Sequence, residues 1–293
     1  MPRLEFHRLS ELRDEAARLL AERYRRQRAA EPLLPDVDDF EAHVPAEGLV
    51  AIREGEAVAY LSGEVDGPVA RVGFGGHAAA EPEALRDLFA AEAERWAVTR
   101  FAVAVPAGEE SLVDAWFRLA FGCQFVWAVR EVEPAEPVDF GGTIRPATRD
   151  DTEAIVDFDE LLHVHQRTAP SFSGYVAPPR AEVRAEVWAD DAWLPFVAER
   201  DGQPVGLLGL YRRPEGGLRV PANNIDLSFA VTQPGARGSG VGRALTAYAL
   251  NWAHEHGYRS MTVDWRTVNL LSSRFWEHRG FRPQYLRLYR AVP

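Results

Sequence analysis

The chain has 293 residues, 46% of them hydrophobic and 26% charged, with a formal net charge of −11 and one cysteine, Cys123. That length suggests about two domains, the acidity disfavours a nucleic-acid partner, and a lone thiol rules out an internal disulfide and fits a reducing cytoplasm. No stretch approaches the ~20 uninterrupted apolar residues of a membrane-crossing helix, and the opening MPRLEFHRLSELRDE lacks the apolar run of a signal peptide, so neither membrane nor secretion is expected.

In chain order, Phe6 to Leu9 reads as a strand, and Ser10 as the N-cap of a helix through Leu12, Ala16, Leu19 and Leu20. Leu49 to Val65 reads as two strands joined by a charged turn at Gly55. Val69 to Phe74 is a further strand, and Glu81-Pro82 opens a helix to about Trp96. Phe101 to Val105 (strand), Ser111 to Ala120 (helix) and Phe125 to Glu131 (strand) close this half. Acids, prolines and a terminal Gly-Gly make 132–142 an extended, exposed linker. The second half repeats the pattern. Thr143 to Pro146 with Thr148 as N-cap leads into a helix through Ile155 and Phe158. Leu161 to Trp193 is irregular, with His163, His165, Ser171, Phe172, Ser173 and Tyr175 before a helix through Val183, Val187 and Trp188. Pro195 to Tyr211 is a hairpin turning at Gly202. The first half therefore reads as a worn copy of the second, giving two similar domains.

Asn224 to Tyr258 is the most informative stretch. Ile225, Leu227, Phe229 and Val231 alternate with Asp226, Ser228 and Ala230 as in a half-buried strand. Pro234-Gly235 break it, and Arg237-Gly238-Ser239-Gly240-Val241-Gly242-Arg243 leads into a helix with an apolar stripe at Val241, Leu245, Tyr248 and Trp252, ended by Gly257. Unpaired amides at a helix start, glycines admitting close backbone approach and two arginines together predict a phosphate or pyrophosphate site. The counterpart segment Gly75 to Pro82 is shorter, lacks arginine, and carries Glu81, which would repel a phosphate.

A nucleotide P-loop would need Lys-Ser/Thr where Arg243-Ala244 stands, and the glycines do not follow the dinucleotide spacing. The run Arg237 to Gly242 instead resembles the acetyl-CoA loop of the GCN5-related N-acetyltransferases, the GNAT family. After the strand Ser260 to Arg266, Asn269, Phe275, Glu277, Gly280 and Phe281 also fall on that family's pattern, and Tyr285 to Arg290 supplies a last strand. The resemblance covers 143–293. It implies an α/β (α+β mixed) fold of two tandem GNAT domains, each a central, mostly antiparallel mixed sheet flanked by helices. Residues 1–131 are then a degenerate domain without the CoA loop, 132–142 a linker, and 143–293 the catalytic domain. Tandem chains of this size resemble the mycothiol synthases, although no motif here selects that substrate.

The resemblance implies acetyl-CoA as cofactor and acetyl transfer to the primary amine of a small molecule by direct attack. Phe229, Ala230 and Val231 would supply backbone contacts to the pantetheine arm, and Arg237, Gly238, Ser239, Gly240, Val241, Gly242 and Arg243 would hold the pyrophosphate. Asn269 would meet the pantetheine or the reacting centre, with Ser273 a further contact. Asp226 is the nearest acid for a general base, with Asp264, Asp159, Glu160 and His165 as fallbacks. Where the family often carries a tyrosine acid stands Trp276, which cannot deliver a proton, leaving Tyr285 or Tyr289 as stand-ins. His163 and His165 lack a third ligand, so no metal is expected. The alternatives are a non-catalytic CoA-binding sensor or scaffold, or a protein acetyltransferase. The internal repeat favours a monomeric pseudo-dimer over a homodimer, and the net charge is compatible with a cationic amine acceptor.

Overall fold

The computed structural model describes residues 3–292, which form two compact units. The first comprises residues up to 128 together with 216–220 and 282–292; the second comprises 129–215 and 221–281.

In the first unit β1 (Glu5–Arg8) leads through a 3₁₀ turn into α1 (Arg13–Ala30), so the helix starts later than Ser10 suggests. β2 (Leu49–Arg53) and β3 (Glu56–Leu61) form a hairpin, followed by β4 (Glu64–Asp66), β5 (Val69–Val72), β6 (His77–Ala79) and α2 (Ala84–Trp96). Then come β7 (Arg100–Pro106), α3 (Glu110–Phe117) and β8 (Gly122–Glu131), the last three residues of which belong to the second unit. One sheet runs β1-β2-β3-β6, all antiparallel; in the other, β4 pairs with β5 and β5 runs parallel to β7. The segment 73–79, read as a loop beyond Phe74, thus contains a buried strand.

The second unit contains β9 (Thr143–Pro146), α4 (Thr152–Arg167), α5 (Arg180–Glu186), β10 (Trp193–Arg200), β11 (Gln203–Tyr211), β12 (Asn224–Thr232), α6 (Val241–Glu255), β13 (Ser260–Arg266) and α7 (Leu270–Glu277). β9 to β12 are neighbours in sequence and antiparallel, and β13 returns parallel to β12 after α6. Ile155, Phe158, Val197, Leu207 and Val231 form a buried cluster between α4 and this sheet. The mixed, mostly antiparallel sheets flanked by helices are the architecture expected.

The repeat is visible in detail. Both hairpins turn through two residues at positive φ, Glu54-Gly55 and Asp201-Gly202, the geometry that matches strand twist. Both carry a β-bulge, after Ala51 and after Ala198, and the two hairpins are displaced by the same 147 residues (Ala51 to Ala198, Arg53 to Arg200). The halves part company at the next strand. β12 runs nine residues without interruption, whereas the first unit splits the equivalent path into β5 and β6. Four residues (80–83) separate β6 from α2, against eight (233–240) between β12 and α6. Glu83 sits at the start of α2, paired with Arg118 at 2.9 Å, and Glu81 pairs with Arg53 at 2.9 Å, so two acids stand near that helix terminus where the second unit has none.

The boundaries differ from the contiguous division at 143, since the first unit ends at 128 and takes in residues 216–220 and 282–292. The last strand, β14 (Arg282–Ala291), belongs to the first unit, where it pairs antiparallel with β7 from Tyr285↔Pro106 to Ala291↔Arg100. Burial is the reason, since Tyr285 and Leu288 are fully enclosed in that unit's cores. The linker, moreover, is docked on its own unit. Ala135 exchanges two hydrogen bonds with the Asn251 side chain of α6 at 2.8 and 2.9 Å, and Val132 and Phe140 are buried. No helix among the described residues is long and apolar enough to cross a membrane.

Candidate active site

The site of the second unit begins where β12 and β13 part. Their parallel register extends only from Asn224↔Ser260 to Leu227↔Val263, after which β12 is paired on its β11 side alone. At that point β12 is bulged, because Gly209 faces Phe229 and Leu210 faces Leu227, leaving Ser228 over. A bulge bends its strand and re-aims the residues beyond it. The backbone of Phe229 to Thr232 therefore has one side without a strand neighbour, and α6 starts from the gap.

Around that gap lies a cavity of about 400 Å³, lined wholly by second-unit residues. Ala230, Val231 and Thr232 form one wall. Arg237, Gly238, Gly240, Val241, Gly242 and Arg243 form the glycine-loop end, and Leu161, Leu162 and His165 of α4 close another side. Asn269, Leu271, Ser272, Phe275, Trp276 and Arg279 come from α7 and its flanks. The first intrahelical bond of α6 runs from Ala244 N to Gly240 O, so the Val241, Gly242 and Arg243 amides precede the ladder. Gly238 and Gly240 have φ of +79° and +93°, a region that disfavours side chains, and a Cβ on Gly238 would meet nothing within 4 Å. The loop is an open cradle of backbone.

Its electrostatics suit an anion. Burial, and after it the neighbouring Arg243 cation, hold the Arg279 guanidinium below its ordinary value. Arg279 lies over the Phe275 ring at 4.5 Å, donates from Nη1 to His278 O at 2.9 Å, and has a buried Nε with no hydrogen-bond acceptor. No Asp or Glu is among the lining residues, so neighbouring cations face each other without a counter-charge. An orphaned guanidinium N–H, a side-chain-free cradle and unladdered helix amides fit a pyrophosphate.

Most of the expected cofactor residues converge here, but three do not line the cavity. The Phe229 side chain packs against the core cluster beneath α4, on the apolar face that the alternation assigns it, while its backbone lies on the edge of β12 left free by β13. Ser239 turns away, donating to Ala236 O at 2.8 Å and accepting from Arg200 at 3.0 Å. Ser273 is buried and spends its hydroxyl on Asn269 O at 2.9 Å.

The expected catalytic residues fare differently. Asn269 is in the cavity, where it caps α7: its Oδ1 accepts from Leu271 N (3.2 Å) and Ser272 N (3.4 Å) and lies 3.2 Å from His165 Nε2. Asp226 is only 2% exposed and does not line the cavity. Its carboxylate accepts from Arg213 at 2.6 Å and Thr262 at 2.7 Å, a structural ion pair on the far side of the bulge. Tyr285 is corrected outright: it lies in the first unit, fully buried, donates to Leu218 O at 3.2 Å, and burial pushes its hydroxyl up from the ordinary value. Trp276 does line the cavity, packed edge-on against Phe275 and Phe281. His163 bonds to Asp159 and stacks on Tyr175, and it does not line the cavity.

Sequence reading missed Arg279, Leu161, Leu162 and Leu271 as site residues. Only Arg279 left a signal: a cation just past the end of α7, two residues from the Phe281 of the recognised pattern.

Residues 159–281 match the family model described as the acetyltransferase (GNAT) family. Among solved structures, a GCN5-related N-acetyltransferase from Sphaerobacter thermophilus matches at TM-score 0.58 and 14% identity, covering 98% of this chain and 95% of that one. A GNAT-family acetyltransferase from Colwellia psychrerythraea matches at TM-score 0.53 and 11% identity, covering 99% and 100%. At such identities the likeness is one of fold, and it extends over both units. No curated protein matches in sequence.

Proposed function

We propose that this chain, whose residues 159–281 match the acetyltransferase (GNAT) family model, transfers an acyl group from acyl-CoA, and that it acetylates the primary amine of a small molecule. The observation that carries this reading is the open glycine cradle at the start of α6, with Arg243 and, from beyond α7, Arg279 lining the same cavity next to the unpaired edge of β12. The amides of α6 with Arg237, Arg243 and Arg279 would hold the pyrophosphate of acetyl-CoA. The β12 backbone at Ala230 and Val231 would lie along the pantetheine, offering N–H groups that polarise the carbonyl. When bound, acetyl-CoA supplies an activated acyl carbonyl and a thiolate leaving group. A thiol with a free pKa near ~8.5 departs without a strong acid, consistent with Trp276 at the usual tyrosine position.

The acceptor end is apolar, walled by Leu161, Leu162 and Leu271. With no carboxylate lining it, a polycation would find no protein counter-charge, so the acceptor we assign is a monoamine on an apolar body. This replaces attraction to the acidic surface as the basis of selection. The first unit, with acids at its α2 start, takes no CoA in this reading, and we place the protein in the cytoplasm as a monomer.

Calorimetric titration of acetyl-CoA into wild type and Arg243→Glu tests the reading. One site per chain, weakened in the variant, supports it; two sites would show that the first unit also binds, and none would end it. Thiol release with arylalkylamines against polyamines then tests the acceptor class. A second reading, a CoA-binding sensor, is favoured by the burial of Tyr285 away from the cavity, and predicts binding without thiol release with any amine.

A further inference from the structure

We infer that His165 is the general base of this site, with Nδ1 as the accepting atom, and that Asn269 is the positioning residue that sets its tautomer. The inference rests on the acyl-CoA reading above. Asn269 Oδ1 is identified as oxygen by its role as the α7 cap, accepting from two backbone amides. An amide oxygen can only accept, so the His165 Nε2 that lies 3.2 Å from it carries the hydrogen. A neutral ring protonated at Nε2 has its lone pair on Nδ1. One asparagine thus terminates a helix and orients a base brought from 104 residues away.

The other acids are unavailable. Asp226 is taken by Arg213 and Thr262, Asp159 pairs with His163 at 3.2 Å, and Glu160 accepts from Arg180 at 2.7 Å. None of them lines the cavity, nor does Asp264. The charged groups sharing the cavity with His165 are Arg237 and Arg243 from the glycine loop and Arg279 after α7. Its α4 neighbours Leu161 and Leu162, Leu208 of β11, Ala230 and Val231 of β12 and Ser272 of α7 carry no charge. The arginines cannot accept a proton, which leaves the His165 imidazole as the lining side chain with a nitrogen lone pair to accept one.

The step balances without another reactant. As the amine nitrogen bonds to the acyl carbon, its proton moves to Nδ1, directly or through one water. The carbon–sulfur bond breaks with its electron pair remaining on sulfur. The Nδ1 proton then passes to that sulfur or to solvent, restoring the neutral ring.

Three measurements decide the matter. Long-range ¹H–¹⁵N spectra of the free protein, with His165 assigned by its loss in His165→Gln, should show Nε2 protonated and Nδ1 bare. His165→Gln should lower kcat/KM by about 10²–10⁴-fold and abolish the acidic limb of its pH profile. Acetyl-CoA affinity should stay within about twofold. Asn269→Asp keeps the helix cap but places a negative charge at Nε2, so the limb should move to higher pH by about one unit. An Nδ1-protonated tautomer, or an unchanged limb in His165→Gln, overturns the assignment. Absence of acetyl-CoA binding by wild type overturns the cofactor reading and this inference with it.

Discussion

Arg279→Met separates binding from stability by moving them independently. In the free protein Arg279 is a partly buried cation beside Arg243, with one buried N–H unsatisfied. Methionine keeps an apolar stem against the Phe275 ring, where the guanidinium now lies at 4.5 Å, and removes the like charge. The lost Nη1 bond to His278 O costs about 1 kcal/mol, and relief of the Arg243 repulsion offsets part of it. Tm should therefore move by less than about 3 °C. Binding should respond far more. A charge-assisted hydrogen bond to a phosphate oxygen contributes about 1.5–3 kcal/mol, so Kd for acetyl-CoA should rise about 10- to 150-fold. Raising the salt concentration should narrow the gap between wild type and variant, because screening weakens the wild-type interaction most. Calorimetric titration and thermal unfolding on the same samples make the comparison. A Kd within twofold of wild type at low salt would refute the assignment of the Arg243–Arg279 pair to the anion.

The remaining expectations concern groups placed outside the cavity. Asp226→Asn leaves half-exposed Arg213 without its carboxylate and should cost about 1–3 kcal/mol in urea unfolding, while kcat/KM corrected for folded protein changes little. A fall of a hundredfold in turnover at unchanged stability would restore Asp226 as the base. Tyr285→Phe orphans Leu218 O and should destabilise by about 1–3 kcal/mol with the pH profile of turnover unmoved; a shifted profile would return Tyr285 to the chemistry. His77 is fully enclosed, and burial holds its imidazole down to about 3. The unfolded chain therefore binds a proton that the folded chain refuses between pH 6.5 and about 3. Stability should fall as pH drops through that window, by up to about 1.4 kcal/mol per unit. His77→Asn should flatten the slope relative to wild type in urea titrations at pH 5 and 7, and identical slopes would contradict the assignment.

Much of this protein is local, and what is local was legible in the residue pattern. Strict alternation announced β12, the stripe from Val241 to Trp252 announced α6, and Gly257 at φ +79° ends it as expected. The Glu54-Gly55 and Asp201-Gly202 turns encode the two hairpins, because only certain residues tolerate positive φ in succession. The glycine run with its arginines predicts an open backbone cradle at a helix start, because helix-terminal amides and backbone access are properties of a dozen consecutive residues. Asp226 and Tyr285 fall outside the cavity for the opposite reason. A period-2 pattern assigns a face but cannot register the one-residue bulge at Ser228, which separates buried Asp226 from the cavity. Nothing in a one-dimensional pattern says that the last strand pairs with β7 and carries Tyr285 into the other unit. The His165–Asn269 contact and the Arg243–Arg279 pair likewise exist only because packing brings separate helices to one gap in a sheet. Sequence alone determined the elements and the glycine-rich loop from which an anion site is proposed; tertiary structure decided which side chains line the cavity beside it, because facing is a relation between segments that no single segment encodes.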